Sequence, residues 1–253
     1  MAAAVSIATP VLAGNIEFDQ NVAPDVIFGS GNANGAFTTN RENNVELALR
    51  AKLRFNDSND PENTFNSDGA GTYTFEAGTP PEGFGFALNS PTTPIWNFEW
   101  SINTDLDGSS GVDLNQLTYE LRIDGDASSS TDFLTFDPIN VPVSTHRFGD
   151  NSTGNGAGVN AGGSELAYGN LIADNNVAQN SWNYEFFNDA GTALENFNPN
   201  FVGTYTIQLE AFSGGNSLGF TSIDVSVVPE PVAAMGGLSL LSLLGLRRRL
   251  RAG

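Results

Sequence analysis

Val45-Glu-Leu-Ala-Leu-Arg-Ala-Lys-Leu-Arg-Phe55 decides the fold class. Val45, Leu47, Leu49, Ala51, Leu53 and Phe55 alternate with Glu46, Arg50, Lys52 and Arg54. Strict period two puts the apolar set on one face of a strand and the charged set on the other. A sheet built this way has one face against a core and one in water. The charged face is therefore expected to be wet, with its basic groups paired to carboxylates across the strands.

The same alternation recurs outward from this strand. Tyr73 and Phe75 share a face, as do Trp96, Phe98, Trp100 and Ile102, with Asn97, Glu99 and Ser101 opposite. Leu117, Tyr119, Leu121 and Ile123 repeat the pattern, then Trp182, Tyr184 and Phe186, then Tyr205, Ile207, Leu209 and Ala211, and last Ile223, Val225 and Val227. Polar, Gly- and Asn-rich stretches separate them, the longest at 149–163. Residues 203–212 and 218–228 read as a hairpin around Ser213-Gly214-Gly215-Asn216. One helix is expected at 164–173, capped by Ser164 with Glu165 in its first turn. Together these predict an all-β antiparallel β-sandwich, jelly-roll or immunoglobulin-like, over residues 14–228 as a single domain.

The charge balance is one-sided. Ten Lys and Arg face 29 Asp and Glu, and four of the basic residues lie at the end of the chain, at Arg247, Arg248, Arg249 and Arg251. Residues 14–228 hold six basic and 28 acidic residues, a net charge of −22. Such a surface repels nucleic acid and anionic lipid, and it suits divalent cations and solubility outside a cell. There is no cysteine, which excludes a disulfide framework, a thiolate nucleophile and a Cys-ligated zinc.

The two ends carry a different message. Residues 1–13 are small and apolar up to Val11-Leu12-Ala13, and a small-x-small end before Gly14 fits signal-peptidase cleavage between Ala13 and Gly14. The segment lacks a basic n-region, as a truncated signal peptide does. Residues 229–251 contain three devices in order. Pro229-Glu230-Pro231 cannot continue a strand, because each proline lacks an N–H and fixes φ. The 15 residues that follow carry no charge; as a hydrophobic helix they would span about 22 Å, short for a bilayer core of about 30 Å. Arg247, Arg248 and Arg249 then act as a cytoplasmic stop.

These residues resemble the PEP-CTERM sorting signal of Gram-negative bacteria. The resemblance implies export, transient insertion of the tail in the inner membrane, recognition by a membrane-embedded exosortase, and release or transfer to the cell surface. It also implies an association with exopolysaccharide. More loosely, residues 24–31, 63–66 with 71–75, 97–105 and 176–182 resemble the interior of other PEP-CTERM proteins. That likeness implies a surface location and no particular activity.

The candidate chemistry is sparse. Asn103, Asp105, Asp107 and Asp113 place oxygen ligands around Gly108 in the manner of a calcium loop. The pattern departs from an EF-hand, with Leu114 where a bidentate acid belongs and strand-like flanks. Asp124-Gly125-Asp126 and residues 56–60 are weaker versions that read as turns. His146 is the sole histidine, so no two-histidine metal pair exists, and no Gly-x-Ser-x-Gly elbow accompanies it; beside Arg147 it reads as a surface residue. Trp96, Trp100 and Trp182 are the aromatics a sugar site would use, but their period-two positions assign them to the core. The leading expectation is a non-enzymatic surface or matrix protein. A carbohydrate-binding module for exopolysaccharide comes second, and a secreted glycan-active enzyme using paired carboxylates third.

Overall fold

The computed structural model describes residues 15–29, 31–55, 62–80 and 90–230. Among the described residues, eleven strands fall in two sheets. The first contains, in spatial order, β1 (Ile16–Gln20), β2 (Phe37–Glu42), β3 (Val45–Leu53), β5 (Trp96–Asn103), β9 (Val177–Trp182) and β8 (Arg147–Gly149). The second contains β4 (Thr72–Glu76), β11 (Asn216–Val228), β10 (Gly203–Ser213), β6 (Thr118–Asp124) and β7 (Phe133–Phe136). The first sheet is antiparallel throughout. The second is mixed, because β4 pairs parallel with β11.

The period-two sets meet between the sheets as read from the sequence. Leu47 and Leu49 of β3, Phe98 and Trp100 of β5, Leu121 of β6, Ile207 of β10 and Val225 of β11 share one continuous core. The closing hairpin turns over two residues, Gly214 and Gly215, both at positive φ (55° and 82°). A two-residue turn of this kind matches the right-handed twist of its strands. The helix α1 (Glu165–Asp174) is capped where expected, with Ser164 Oγ accepting from Ala167 N at 3.2 Å. The segment expected to continue β9 as a strand instead turns at Trp182 into a 3-10 turn, Tyr184–Phe187. Tyr184 is buried there and Phe186 is 45% exposed.

The outer face of the first sheet departs most from expectation. Glu46, Arg50 and Lys52 of β3 are not wet; they are 0%, 0% and 3% exposed. Their neighbours on β5, Asn97, Glu99, Ser101 and Asn103, are buried as well. Residues 22–29 and 31–35 run across this face as a strap without regular secondary structure. Val22, Val26 and Phe28 of the strap pack with Phe37 and Ala48 in a second, smaller core. A strap without a ladder leaves its N–H and C=O groups in need of partners once buried. The polar side chains of the sheet supply them. Ile27 N donates to Gln179 Oε1 (2.8 Å), Gln179 Nε2 to Asp25 O (2.8 Å), Ala23 N to Glu46 Oε1 (2.8 Å), and Arg50 Nη1 to Ala33 O (2.9 Å) and Gly35 O (2.6 Å).

The long polar loop holds the strap from its other side. Gly156 N donates to Val26 O and Gly158 N to Ile27 O. A Cβ at Gly158 would stand 2.8 Å from both Ile27 O and Arg147 Cβ, so only glycine allows this approach.

Candidate functional site

Three places in the fold collect polar chemistry, and the sequence singled out two of them. The first is the acidic loop after β5. Asp105 is 6% exposed and its carboxylate is filled by donors of the protein: Asn44 Nδ2 (2.8 Å) and Ser110 N (2.9 Å) on Oδ1, Gly111 N (2.9 Å) on Oδ2. Burial opposes its charge, but the N–H groups of Ser110 and Gly111, with Asn44, outweigh that and hold its carboxyl down at about 2. Asp107 Oδ1 accepts from Ser109 N, and Asp107 N donates to Asn44 Oδ1. Asp113 is placed elsewhere, at the N-cap of a 3-10 turn (Leu114–Gln116), where its N–H donates to Gln116 Oε1. Asn103 Oδ1 accepts from Asp105 N and Asn176 Nδ2, while its Nδ2 donates to Asn151 Oδ1 and Ala23 O.

The structure thus joins Asn103 to Asp105, links Asp107 to them through Asn44, and leaves Asp113 on a separate task. Among the described residues no group of three or more His, Asp or Glu is arranged to hold a metal ion. Asp124-Gly125-Asp126 forms the turn expected of it, with Asp124 Oδ1 accepting from Asp126 N and Asp132 N. Residues 56–60 lie outside the described residues.

The second place is the exit of the chain. β11 ends at Val228, whose carbonyl accepts from Ala77 N at 2.8 Å, and Pro229 and Glu230 follow as exposed residues. Both Val228 and Glu230 line a cleft of about 730 Å³ whose apolar wall includes Leu53, Phe75 and Ile95. Pro231, Arg247, Arg248 and Arg249 lie outside the described residues, as do Ala13 and Gly14. Among the described residues no helix is long and apolar enough to cross a membrane.

The third place is the buried charge on the outer face of the first sheet. Glu99 receives Arg50 Nε on Oε2 at 2.6 Å, and Lys52 Nζ lies 2.9 Å from Oε1. The Arg50 guanidinium is held between the rings of Phe37 (4.1 Å) and Phe65 (4.4 Å). Lys52 Nζ also donates to Asn32 Oδ1 at 2.7 Å. Burial penalises the Glu99 carboxylate, but Arg50 and Lys52 together more than offset it and leave its pKa below the ordinary value. At Glu46 the balance falls the other way. Burial raises its pKa despite the Ala23 N–H and Arg41, whose Nε sits 2.7 Å from Oε2. Period two had marked these residues as a polar face; it carried no sign that a strap covers them.

His146 is a correction of the same kind. It is fully buried, not a surface residue, with its ring 4.8 Å from Trp100 and 5.4 Å from Trp182. Nε2 lies 2.6 Å from Pro138 O and must carry the proton, while Nδ1 accepts from Asn180 Nδ2 at 2.9 Å. Burial pushes its pKa down to about 4, against a smaller pull from Pro138 O. Trp96 and Trp100 are core residues as expected. Trp182 is only half-buried, and packs with Phe136 (6.0 Å) and Phe187 (5.4 Å) where β8 no longer covers β9.

No family model matches this chain, and neither a curated protein nor a solved structure matches it.

Proposed function

We propose that the chain is an exported surface or extracellular-matrix protein, with the sandwich as the displayed part and residues 229–251 as a sorting tail for an exosortase. One observation carries this reading. The last strand closes at Val228, and the Pro-Glu-Pro motif begins on the next residue, exposed at the rim of the sandwich. A processing enzyme needs such an extended, unpaired approach, and proline secures it by refusing the ladder. The acidic composition suits solubility outside a cell. In this reading the sandwich is of the jelly-roll or immunoglobulin-like kind, and the tail inserts transiently in the inner membrane as a hydrophobic helix.

The test is fractionation of a Gram-negative host that carries an exosortase. The expected result is tail-free protein at the surface or in the medium, with a Pro229→Ala, Glu230→Ala, Pro231→Ala variant held uncut in the inner membrane. Full-length protein confined to the cytosol contradicts the proposal.

Half-burial of Trp182 favours a second reading, an exopolysaccharide-binding module. Its ring is partly exposed beside Phe136 and Phe187, and an aromatic surface of this kind is what a sugar stacks on. A glycan array checks this: binding that Trp182→Ala abolishes supports it, and no binding removes it.

A further inference from the structure

The chain has one lysine, and that lysine is inside the protein. Among the described residues, the other ion pairs made to a buried carboxylate use arginine: Arg50 with Glu99, Arg41 with Glu46, Arg122 with Glu210. Arginine does not give up its proton in a protein, whereas lysine does and then becomes a nucleophile. At this single ammonium a primary carboxamide and a carboxylate meet. Asn32 Oδ1 lies at 2.7 Å and Glu99 Oε1 at 2.9 Å.

The two partners are themselves fixed. Asn32 Nδ2 donates to Phe28 O at 2.8 Å, which directs the carbonyl end of the amide at the amine. Asn32 O accepts from Asn155 Nδ2 at 2.7 Å, which pins the strap beneath it. Arg50 holds the other oxygen of Glu99. The side chains of Lys52 and Glu99 are 4% and 0% exposed, so water is kept from the amine and the carboxylate. Fixing a nucleophile, its electrophile and a proton carrier together in a dry site makes an otherwise slow amide exchange effectively unimolecular.

We propose that Lys52 and Asn32 join in an intramolecular isopeptide bond, with Glu99 as the catalytic residue. Glu99 Oε1 takes a proton from the Lys52 ammonium. The lone pair freed on Nζ attacks Asn32 Cγ, one bond beyond the oxygen it already touches, and the carbonyl electron pair moves onto Oδ1. When that pair returns, the Cγ–Nδ2 bond breaks. The departing nitrogen takes one proton from Nζ and leaves as ammonia, and the proton held by Glu99 converts it to ammonium. One ammonium and one carboxamide become one secondary amide and one free ammonium ion, with no oxidant, reductant or added reagent. The product ties the strap to β3, the task a disulfide performs in chains that possess cysteine.

Intact-mass measurement of the denatured full chain, followed by a tryptic map, tests this. The expected mass is lower than the sequence mass by one ammonia. The map should show no cleavage after Lys52, and the peptide ending at Arg41 should be joined to the one carrying Lys52. A chain at full sequence mass with free Lys52 overturns the proposal. So does an ammonia loss that maps to Asn34-Gly35 or Asn155-Gly156, where a succinimide would form instead. Asn32→Asp should form the same joined peptide with loss of water. Asn32→Ala, which alters a half-buried strap residue, should form none. Glu99→Gln should slow joining by roughly 100-fold or more; joining at the native rate would overturn the role of Glu99. The wild-type mass decides the bond even where a variant fails to fold.

Discussion

Trp100 and Glu99 are neighbours on β5, both are fully buried, and they face opposite ways. Trp100 enters the apolar core between the sheets, where shape and contact area hold it. Glu99 enters a layer of charge and hydrogen bonds beneath the strap. The inner face joins two regular sheets whose backbone groups are already paired. The outer face joins a sheet to an irregular segment whose backbone groups are not. A polar sheet face can thus be as dry as an apolar one when the element covering it needs partners.

The two faces should differ most at Arg50. An apolar swap of similar volume on the inner face, such as Leu121→Met, should cost under about 1.5 kcal/mol. Arg50→Met also preserves bulk, yet it orphans Ala33 O and Gly35 O and strips Glu99 of its closest cation. It should cost about 3–5 kcal/mol, as breaking a buried pair from one side does; equal midpoints for the two variants in chemical denaturation would erase the distinction.

On the inner side His146 is a titratable group set among aromatic rings. Its pKa is about 4 in the fold against an ordinary 6.5, so the unfolded chain binds the proton more readily. The stabilisation is complete above pH 6.5 and drains away as pH falls through the window to 4. The loss comes to about 3 kcal/mol for a shift of this size. Thermal melts across that range should show the slope, and His146→Leu should lack this part of it.

Gln179 carries a smaller effect on the outer face. Gln179→Leu leaves Ile27 N and Asp25 O without their partners and should cost about 1–3 kcal/mol, measured by the same denaturation midpoints.

These contrasts explain what could be read in advance. The inner face was legible because period two records which side chains meet a core, and Val45 to Leu53 records it without a break. The hairpin was legible in Gly214-Gly215, and the helix in Ser164, because turn and cap chemistry is local. The outer face was not. Its partner is backbone, and a backbone group leaves no trace in the residue types of the strap. The bond from Ile27 to Gln179 spans 152 positions. His146 escaped for the same reason, since Trp100 and Asn180 come to it from two separate strands, β5 and β9. The acidic loop was legible as Asp-rich and ambiguous in use. Turns and metal loops share that composition, and the N–H groups that Ser110 and Gly111 give to Asp105 cannot be read from it.

Native-state hydrogen exchange shows whether the strap seals the polar face of the first sheet. The amides of Ala23 and Ile27 belong to no ladder and donate only to side chains of the first sheet. They should exchange as slowly as the amides of β5, because opening them requires lifting the strap from a buried polar layer. Exchange at the rate of exposed turn amides such as those of Ser128 and Ser130 would show that the polar face is open to water.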